Sequence, residues 1–386
     1  MSRRRLFGSL CGLVFFLNLA RIVFAPLLDV FIAEFGIGEA TAGLIVTLAW
    51  VGSASLRLPA GWLLTKVPRH YLVIISGAIL TVSAAGAGAA MTVRQLMVGA
   101  FFMGTASGVY FVSANPLLSE LFPDRVGRVM GIHGAANQVA AVSAAPLVAV
   151  SLWVDWRLAL WAIAVGTAAV TAATVIVARR TEMPDAGVDD SSLLAGARSE
   201  WRIILAALAL AGTAVFVWQG VFNFYELYMQ SRGLSPTEAS TMLTVVFAAG
   251  VPAFFVAGEL ADDLPSVPLL LGIISSFAGC LLLLVAVKGF LALAVVSAAI
   301  GFVIHGLFPA TDAYILSVLP DSARGSAYAV FSSACMLSQS GGSSVVGRLV
   351  ETGVTYDIIF ITAAILMLAV VVVLGGIERA GMFPGR

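Results

Sequence analysis

The sequence predicts an all-α membrane protein: twelve transmembrane helices arranged as two pseudo-symmetric six-helix bundles. Three observations carry that expectation. The 386 residues are 60% hydrophobic and 11% charged, with mean hydropathy +1.02, whereas soluble domains carry about a quarter charged residues. Twelve apolar runs reach the roughly 20 residues that a bilayer crossing requires. Landmarks of the first half also recur in the second at a constant offset of 197 residues. No water-soluble core of this size hides so much apolar side chain, so the solvent is lipid.

The expected spans lie at 7–33, 41–65, 71–91, 95–119, 129–152 and 158–178. The second six lie at 203–229, 239–259, 267–287, 290–318, 326–350 and 358–376. Short polar stretches with Pro, Gly or charges separate most of them. The one long break, 179–202, has a linker's composition, which predicts an N-terminal bundle (1–178), a cytoplasmic linker (179–202) and a C-terminal bundle (203–386).

Orientation follows from the basic residues. With the N-terminus inside, inner segments hold 14 of the 21, outer loops hold five, and Arg21 and Arg57 stay within spans. Both termini are therefore expected in the cytoplasm. The opening Ser2–Phe7 stretch resembles a twin-arginine export signal, but the apolar run continues through Arg21 to Phe31 and reads as an anchoring span. Nineteen arginines against two lysines, with abundant Ala and Gly, suggest a GC-rich prokaryotic genome and hence a cell-membrane location.

Formal charge is zero, 21 basic against 21 acidic residues, which leaves no electrostatic footprint for nucleic acid. Cys11, Cys280 and Cys335 make no CxxC pattern and read as small packing residues. His133 and His305 stand alone, so no metal and no cofactor are expected. The expected partners are the lipid bilayer and a small solute, with the chain as a monomer.

The repeat is the strongest internal signal. Gly36 falls on Gly233, Gly61 on Gly258, Gly104 on Gly301, Asn115 on Asp312, and Pro123-Asp124 on Pro320-Asp321. Asp29 likewise falls on Glu226. After the second span comes Gly61-Trp-Leu-Leu-Thr65-Lys66-Val-Pro-Arg69, and after the eighth Gly258-Glu-Leu-Ala-Asp262-Asp263. Both loops resemble the cytoplasmic Gly-x-Leu-Ala-Asp-Arg-x-Gly-Arg-Lys signature of the major facilitator superfamily. The stretches 121–128 and 319–325 fit the same pattern, and the resemblance covers essentially the whole chain.

That resemblance implies secondary transport by alternating access. It also implies a latch of Gly61, Lys66, Arg69, Gly258, Asp262, Arg128 and Arg324 that holds the cytoplasmic face shut. Helix termini favour such charges and glycine allows close helix approach. Thr65 stands where the family has Asp, and Asp263 where it has a basic residue. A purely topological role for these turns is the alternative reading.

Ionisable residues inside spans cost about 2.5–3.5 kcal/mol each on insertion scales, so each needs a partner, a cavity or a function. Arg21, with Asn18 one turn before it, suits a carboxylate or phosphate, because a guanidinium stays charged and binds bidentately. A structural pair with Asp29 or another acid is the other reading. Arg57 lies in Arg57-Leu-Pro59-Ala-Gly61, which resembles the Arg-x-Pro-x-Gly of nitrate/nitrite porters, where that arginine grips the anion. Its partner at the 197-residue offset is Phe254 rather than a second arginine. A snorkelling arginine is the alternative.

Asp29, Glu226 and Asp312 are the proton-coupling candidates, since burial raises a carboxylate's affinity for a proton; a solvated helix end is the alternative for the first two. Gln219, Asn223 and Glu226 share one face of the seventh span. With Tyr225, and with Asn115 on span four, they complete the expected mid-membrane solute site.

No Walker loop, HExxH or GxSxG motif occurs, which argues against ATP drive and against an enzyme. A sensor would carry a larger soluble domain than the longest loop supplies. Within transporters, Arg21 and Arg57 favour a small organic or inorganic anion. The acidic residues leave proton-coupled efflux of cationic compounds as the alternative.

Overall fold

The computed structural model describes residues 2–183 and 193–384. Among them there is no strand, and eleven helices are long and apolar enough to cross a membrane. The chain runs through α1 (Ser2–Ile22), α2 (Leu28–Phe35), α3 (Glu39–Ser55), α4 (Arg57–Leu63), α5 (Arg69–Gly88), α6 (Val93–Leu121), α7 (Val126–Ser151) and α8 (Arg157–Ala178). It continues through α9 (Leu193–Ser199), α10 (Trp201–Ser231), α11 (Pro236–Asp263), α12 (Ser266–Ala286), α13 (Phe290–Val318), α14 (Arg324–Glu351) and α15 (Tyr356–Arg379). The span expected at 326–350 is α14, long enough to cross but the least apolar, with a Ser-, Gln- and Gly-rich middle. Of the linker, residues 184–192 lie outside the described residues.

Two expected spans are broken rather than continuous. The first divides into α1 and α2 around a single 3₁₀ turn at Ala25–Leu27, which contains Pro26. The second divides at Leu56. Pro59 has no N–H to offer the carbonyl of Ser55, so the helical ladder fails there and restarts with Arg57 as the first residue of α4. Apolar character alone is blind to such breaks.

The repeat is visible in the helix ends. Helix α6 and helix α13 are both 29 residues long and begin 197 residues apart. Helices α5 and α12 begin at the same offset, as do α3 and α11. Gly36 and Gly233 both have positive φ, 60° and 91°, and close their helices in the left-handed region that favours glycine. Capping boxes start α6 (Thr92 with Gln95) and α11 (Ser235 with Glu238).

Packing repeats as well. A Cβ on Gly104 would collide with the backbone carbonyl of Ala49, and one on Gly301 with that of Val246. Ala49 and Val246 are again 197 residues apart, so α3 against α6 and α11 against α13 make the same close approach.

The chain forms two compact units. The first comprises Met1–Pro123, Ala136–Ser199 and Pro320–Val330; the second comprises Asp124–Ala135, Glu200–Leu319 and Phe331–Arg386. The first unit thus contains the start of α14, and the second contains the start of α7. In the first unit Ala329 joins a buried apolar cluster with Ala60, Leu64, Leu72, Val109 and Val112.

Candidate solute site and charge clusters at the helix ends

In the first unit, α1 carries Asn18 and Arg21 one turn apart, both buried. Asn18 Nδ2 donates to the Asn137 carbonyl at 2.6 Å, and Asn18 Oδ1 accepts from Arg21 Nη2 at 2.6 Å. The amide is thereby fixed in orientation, and it fixes the guanidinium. The guanidinium lies over the ring of Trp50, 4.9 Å from its centroid, and over Phe111 at 5.5 Å. The buried Arg57 guanidinium lies 5.9 Å from the same Phe111 ring. Phe111 therefore carries two cations.

Among the described residues no carboxylate forms an ion pair with Arg21, and its buried Nε has no hydrogen-bond partner. The side chain of Asp29, the expected structural partner, lies outside the described residues. Aromatic faces return part of a buried cation's lost hydration, but they supply no negative charge. A flat, permanently charged guanidinium is the local chemistry that takes a carboxylate or another oxyanion.

Asn115 is buried on α6, where its Nδ2 donates to the Tyr328 hydroxyl at 2.6 Å in the same unit. In the second unit Gln219 and Glu226 are half-buried on α10 and Asn223 is exposed. Tyr225 is fully buried, its hydroxyl 2.6 Å from Ser297 Oγ, so it points into helix packing rather than along the Gln219 face. Asp312 is half-buried on α13. Asn18, Arg21 and Arg57 come together; Asn115 and Tyr225 are engaged elsewhere. The residues that sequence reading missed are Trp50 and Phe111.

Two polar clusters lie at the loop ends of the helices. In the first unit the buried Arg69 pairs with Glu120 at 2.9 Å, their side chains 1% and 5% exposed. Arg324 Nη1 lies 3.7 Å from the same Glu120 oxygen and 2.7 Å from Asp321. Glu120 thus joins two arginines. Thr65, standing where the superfamily has Asp, donates to the Trp62 carbonyl. Lys66 is exposed and stacks on Trp62, 4.3 Å from the ring centroid. Gly61 is buried on α4.

In the second unit Asp262 accepts from the backbone N–H groups of Gly127 and Arg128 at 2.6 and 2.8 Å. It caps the start of α7, where the helix dipole favours an anion. Gly258 sits where any Cβ would press on Gly127 and Gly131. The Arg128 guanidinium is exposed and 4.0 Å from Glu259, a contact of little weight. The two clusters differ in chemistry: a carboxylate between arginines in one unit, a carboxylate on a helix N-terminus in the other.

A sequence model of the Major Facilitator Superfamily matches residues 10–266 and 207–380. The chain belongs to that superfamily. The cis,cis-muconate transport protein of Acinetobacter baylyi is 23% identical over 253 residues, 60% of each chain. The probable nitrate transporter NarT of Staphylococcus carnosus is 26% identical over 121 residues, 31% of each chain. The chain thus spans about a third of the length of the nitrate-transporter relatives that it matches. Among superfamily structures, the human organic anion transporter MFSD10 superposes with TM-score 0.76 at 13% identity, covering 96% of this chain and 99% of that one. The Escherichia coli fucose:proton symporter FucP superposes with TM-score 0.72 at 18% identity, covering 95% and 97%. At these identities the structural likeness establishes the fold alone, and membership of the superfamily, with its multi-pass helical membrane architecture, rests on the sequence match.

Among the described residues no three His, Cys, Asp or Glu side chains stand close enough to hold a metal ion.

Proposed function

We propose that this superfamily member is a secondary transporter that moves a small anion across the cell membrane by alternating access. The observation that carries the reading is the Arg21–Phe111–Arg57 arrangement: two buried guanidiniums on one ring, with no carboxylate paired to Arg21 among the described residues. A buried cation is costly, and an arriving anion offsets that cost. A cationic compound would meet repulsion at the same place. The relatives support the reading from outside, since one is named for the dicarboxylate muconate and others for nitrate.

In this reading Asn18, Arg21 and Arg57 bind the anion, and Gln219 and Asn223 are the polar solute-binding candidates of α10. Asn115 and Tyr225 hold helices in place. Asp29, Glu226 and Asp312 are the carboxylates available for proton coupling. The Arg69–Glu120–Arg324 cluster and the Asp262 cap latch the cytoplasmic side, and both termini lie in the cytoplasm. The chain works as a monomer, as two six-helix bundles (1–178 and 203–386) joined by the linker 179–202.

Proteoliposome uptake tests it. An imposed pH gradient should drive accumulation of a small carboxylate or nitrate, and Arg21→Gln should abolish it. Equal uptake by the Arg21→Gln protein removes the anion assignment. Indifference to the gradient removes proton coupling and leaves the anion assignment standing.

A further inference from the structure

Five arginines gather at one end of the α1–α8 pair, all of them within the first unit. Two glycines set the antiparallel register of these helices. A Cβ on Gly12 would press on Val170, and one on Gly166 would meet the ring of Phe16. The same register carries Arg3 level with Arg179, and Arg5 level with Val177, within one turn of Arg180. Arg3, Arg4, Arg5, Arg179 and Arg180 are all exposed. Among the described residues none of the five is in an ion pair, and the first turn of α1 holds no acid. The α1 dipole adds to the charge of the first three, and that of α8 offsets only the last two.

Beneath this charge the seam between the two helices opens. Gly8 stands one turn from Gly12 on the same face of α1, yet a Cβ there would meet nothing within 4 Å, and the position is exposed. On α8, Ile176 is 54% exposed just inside the arginines. The result is a notch with a glycine floor, an apolar wall and a cationic rim. Topology alone asks for basic residues near the ends of spans. It asks neither for their convergence from two helices nor for an open apolar seam beneath them.

We propose that this end of the α1–α8 pair binds an anionic phospholipid. The guanidiniums take the phosphodiester, which they can grip bidentately, and an acyl chain lies in the seam over Gly8 and against Ile176. A free phosphate would use the arginines and leave the apolar notch empty. A zwitterionic lipid would bring its own ammonium group up to the arginines. In the orientation proposed above the lipid belongs to the cytoplasmic leaflet, whose anionic headgroups attract basic clusters of this kind. The site is separate from Arg21 and Arg57 and holds whichever solute is carried.

The test uses the purified full-length protein in an uncharged detergent, with the melting temperature read after addition of phosphatidylglycerol, phosphatidylcholine or inorganic phosphate. Phosphatidylglycerol should raise it by about 3 °C or more, and the other two by much less. Arg5→Gln combined with Arg180→Gln should remove most of that rise. Arg94→Gln combined with Arg348→Gln, which deletes the same charge from two exposed positions elsewhere, should keep it. Gly8→Leu, which fills the open seam, should also diminish the rise. The melting temperature without lipid shows whether each variant is folded. Equal rises with the two lipids, or a rise that survives the Arg5 and Arg180 changes or Gly8→Leu, overturn the lipid site. So does an equal loss in the Arg94 and Arg348 control. An equal rise with inorganic phosphate alone assigns the arginines to a free anion and overturns it as well.

Discussion

Asn18 Oδ1 accepts a hydrogen bond from Arg21 Nη2 at 2.6 Å, so an uncharged amide holds the guanidinium where a carboxylate would neutralise it. The choice of amide over acid keeps the positive charge available. Asn18→Asp, nearly isosteric, should cut anion uptake by about tenfold or more, because the new carboxylate competes for Arg21, and it should lower the melting temperature through loss of the donor to the Asn137 carbonyl. Uptake in proteoliposomes, beside a melting curve, checks it. Undiminished uptake would mean that Arg21 does not contact the anion.

Glu120 compensates Arg69 in a site where both side chains are nearly excluded from solvent. Removing one partner of a buried pair strands the other, at about 3–5 kcal/mol. Glu120→Gln should lower the melting temperature markedly. The matching surface change, Glu34→Gln, disturbs the more exposed pair with Arg157 at 3.2 Å and should cost no more than about 1 kcal/mol. Similar melting temperatures for the two variants would refute the buried role of Glu120.

The glycine contacts predict a matched pair of failures. Gly104→Ala and Gly301→Ala each push a methyl into a neighbouring helix's carbonyl, and overpacking of this kind costs about 1–3 kcal/mol. Gly272→Ala, with nothing within 4 Å of the added carbon, should be neutral or stabilising by up to about 1 kcal/mol, since alanine is the better helix former. Thermal unfolding of the three proteins in one detergent makes the comparison.

Asp262 acts through two backbone N–H groups rather than through a cation. Asp262→Ala should cost about 1 kcal/mol, as loss of a helix cap does, whereas Arg128→Ala should change stability very little. A larger loss from Arg128→Ala than from Asp262→Ala would reverse the assignment of that cluster.

The sequence exposed Arg21 and Arg57 because a charge inside an apolar run stands out against its surroundings. Trp50 and Phe111 did not stand out, because 23 phenylalanines and seven tryptophans are scattered through the chain, and only folding selects the rings that meet the arginines. Glu120 was hidden by its position at the end of a span, next to a Pro-Asp turn. Charges there are usually solvated, and its burial depends on residues 320–330, some 200 positions later. The break at Leu56 escaped for a different reason: hydropathy sums do not register a missing N–H at Pro59. The repeat was legible throughout its first four spans because glycines and turn residues, fixed by backbone geometry, outlast side-chain divergence. What differs is the pair of arginines, Arg21 and Arg57, whose equivalents at the 197-residue offset are Trp218 and Phe254.

The compact units do not follow the order of the chain, since residues 124–135 belong with the second unit and 320–330 with the first. Each half therefore lends the other an arm, as protomers do in a domain-swapped dimer. A gene cut within codons 184–192 would encode two polypeptides, each lacking a segment of its own compact unit: without Pro320–Val330 the first fragment loses Ala329 from its buried apolar cluster and Arg324 from Glu120. The two fragments should therefore be more stable when co-expressed than when made alone.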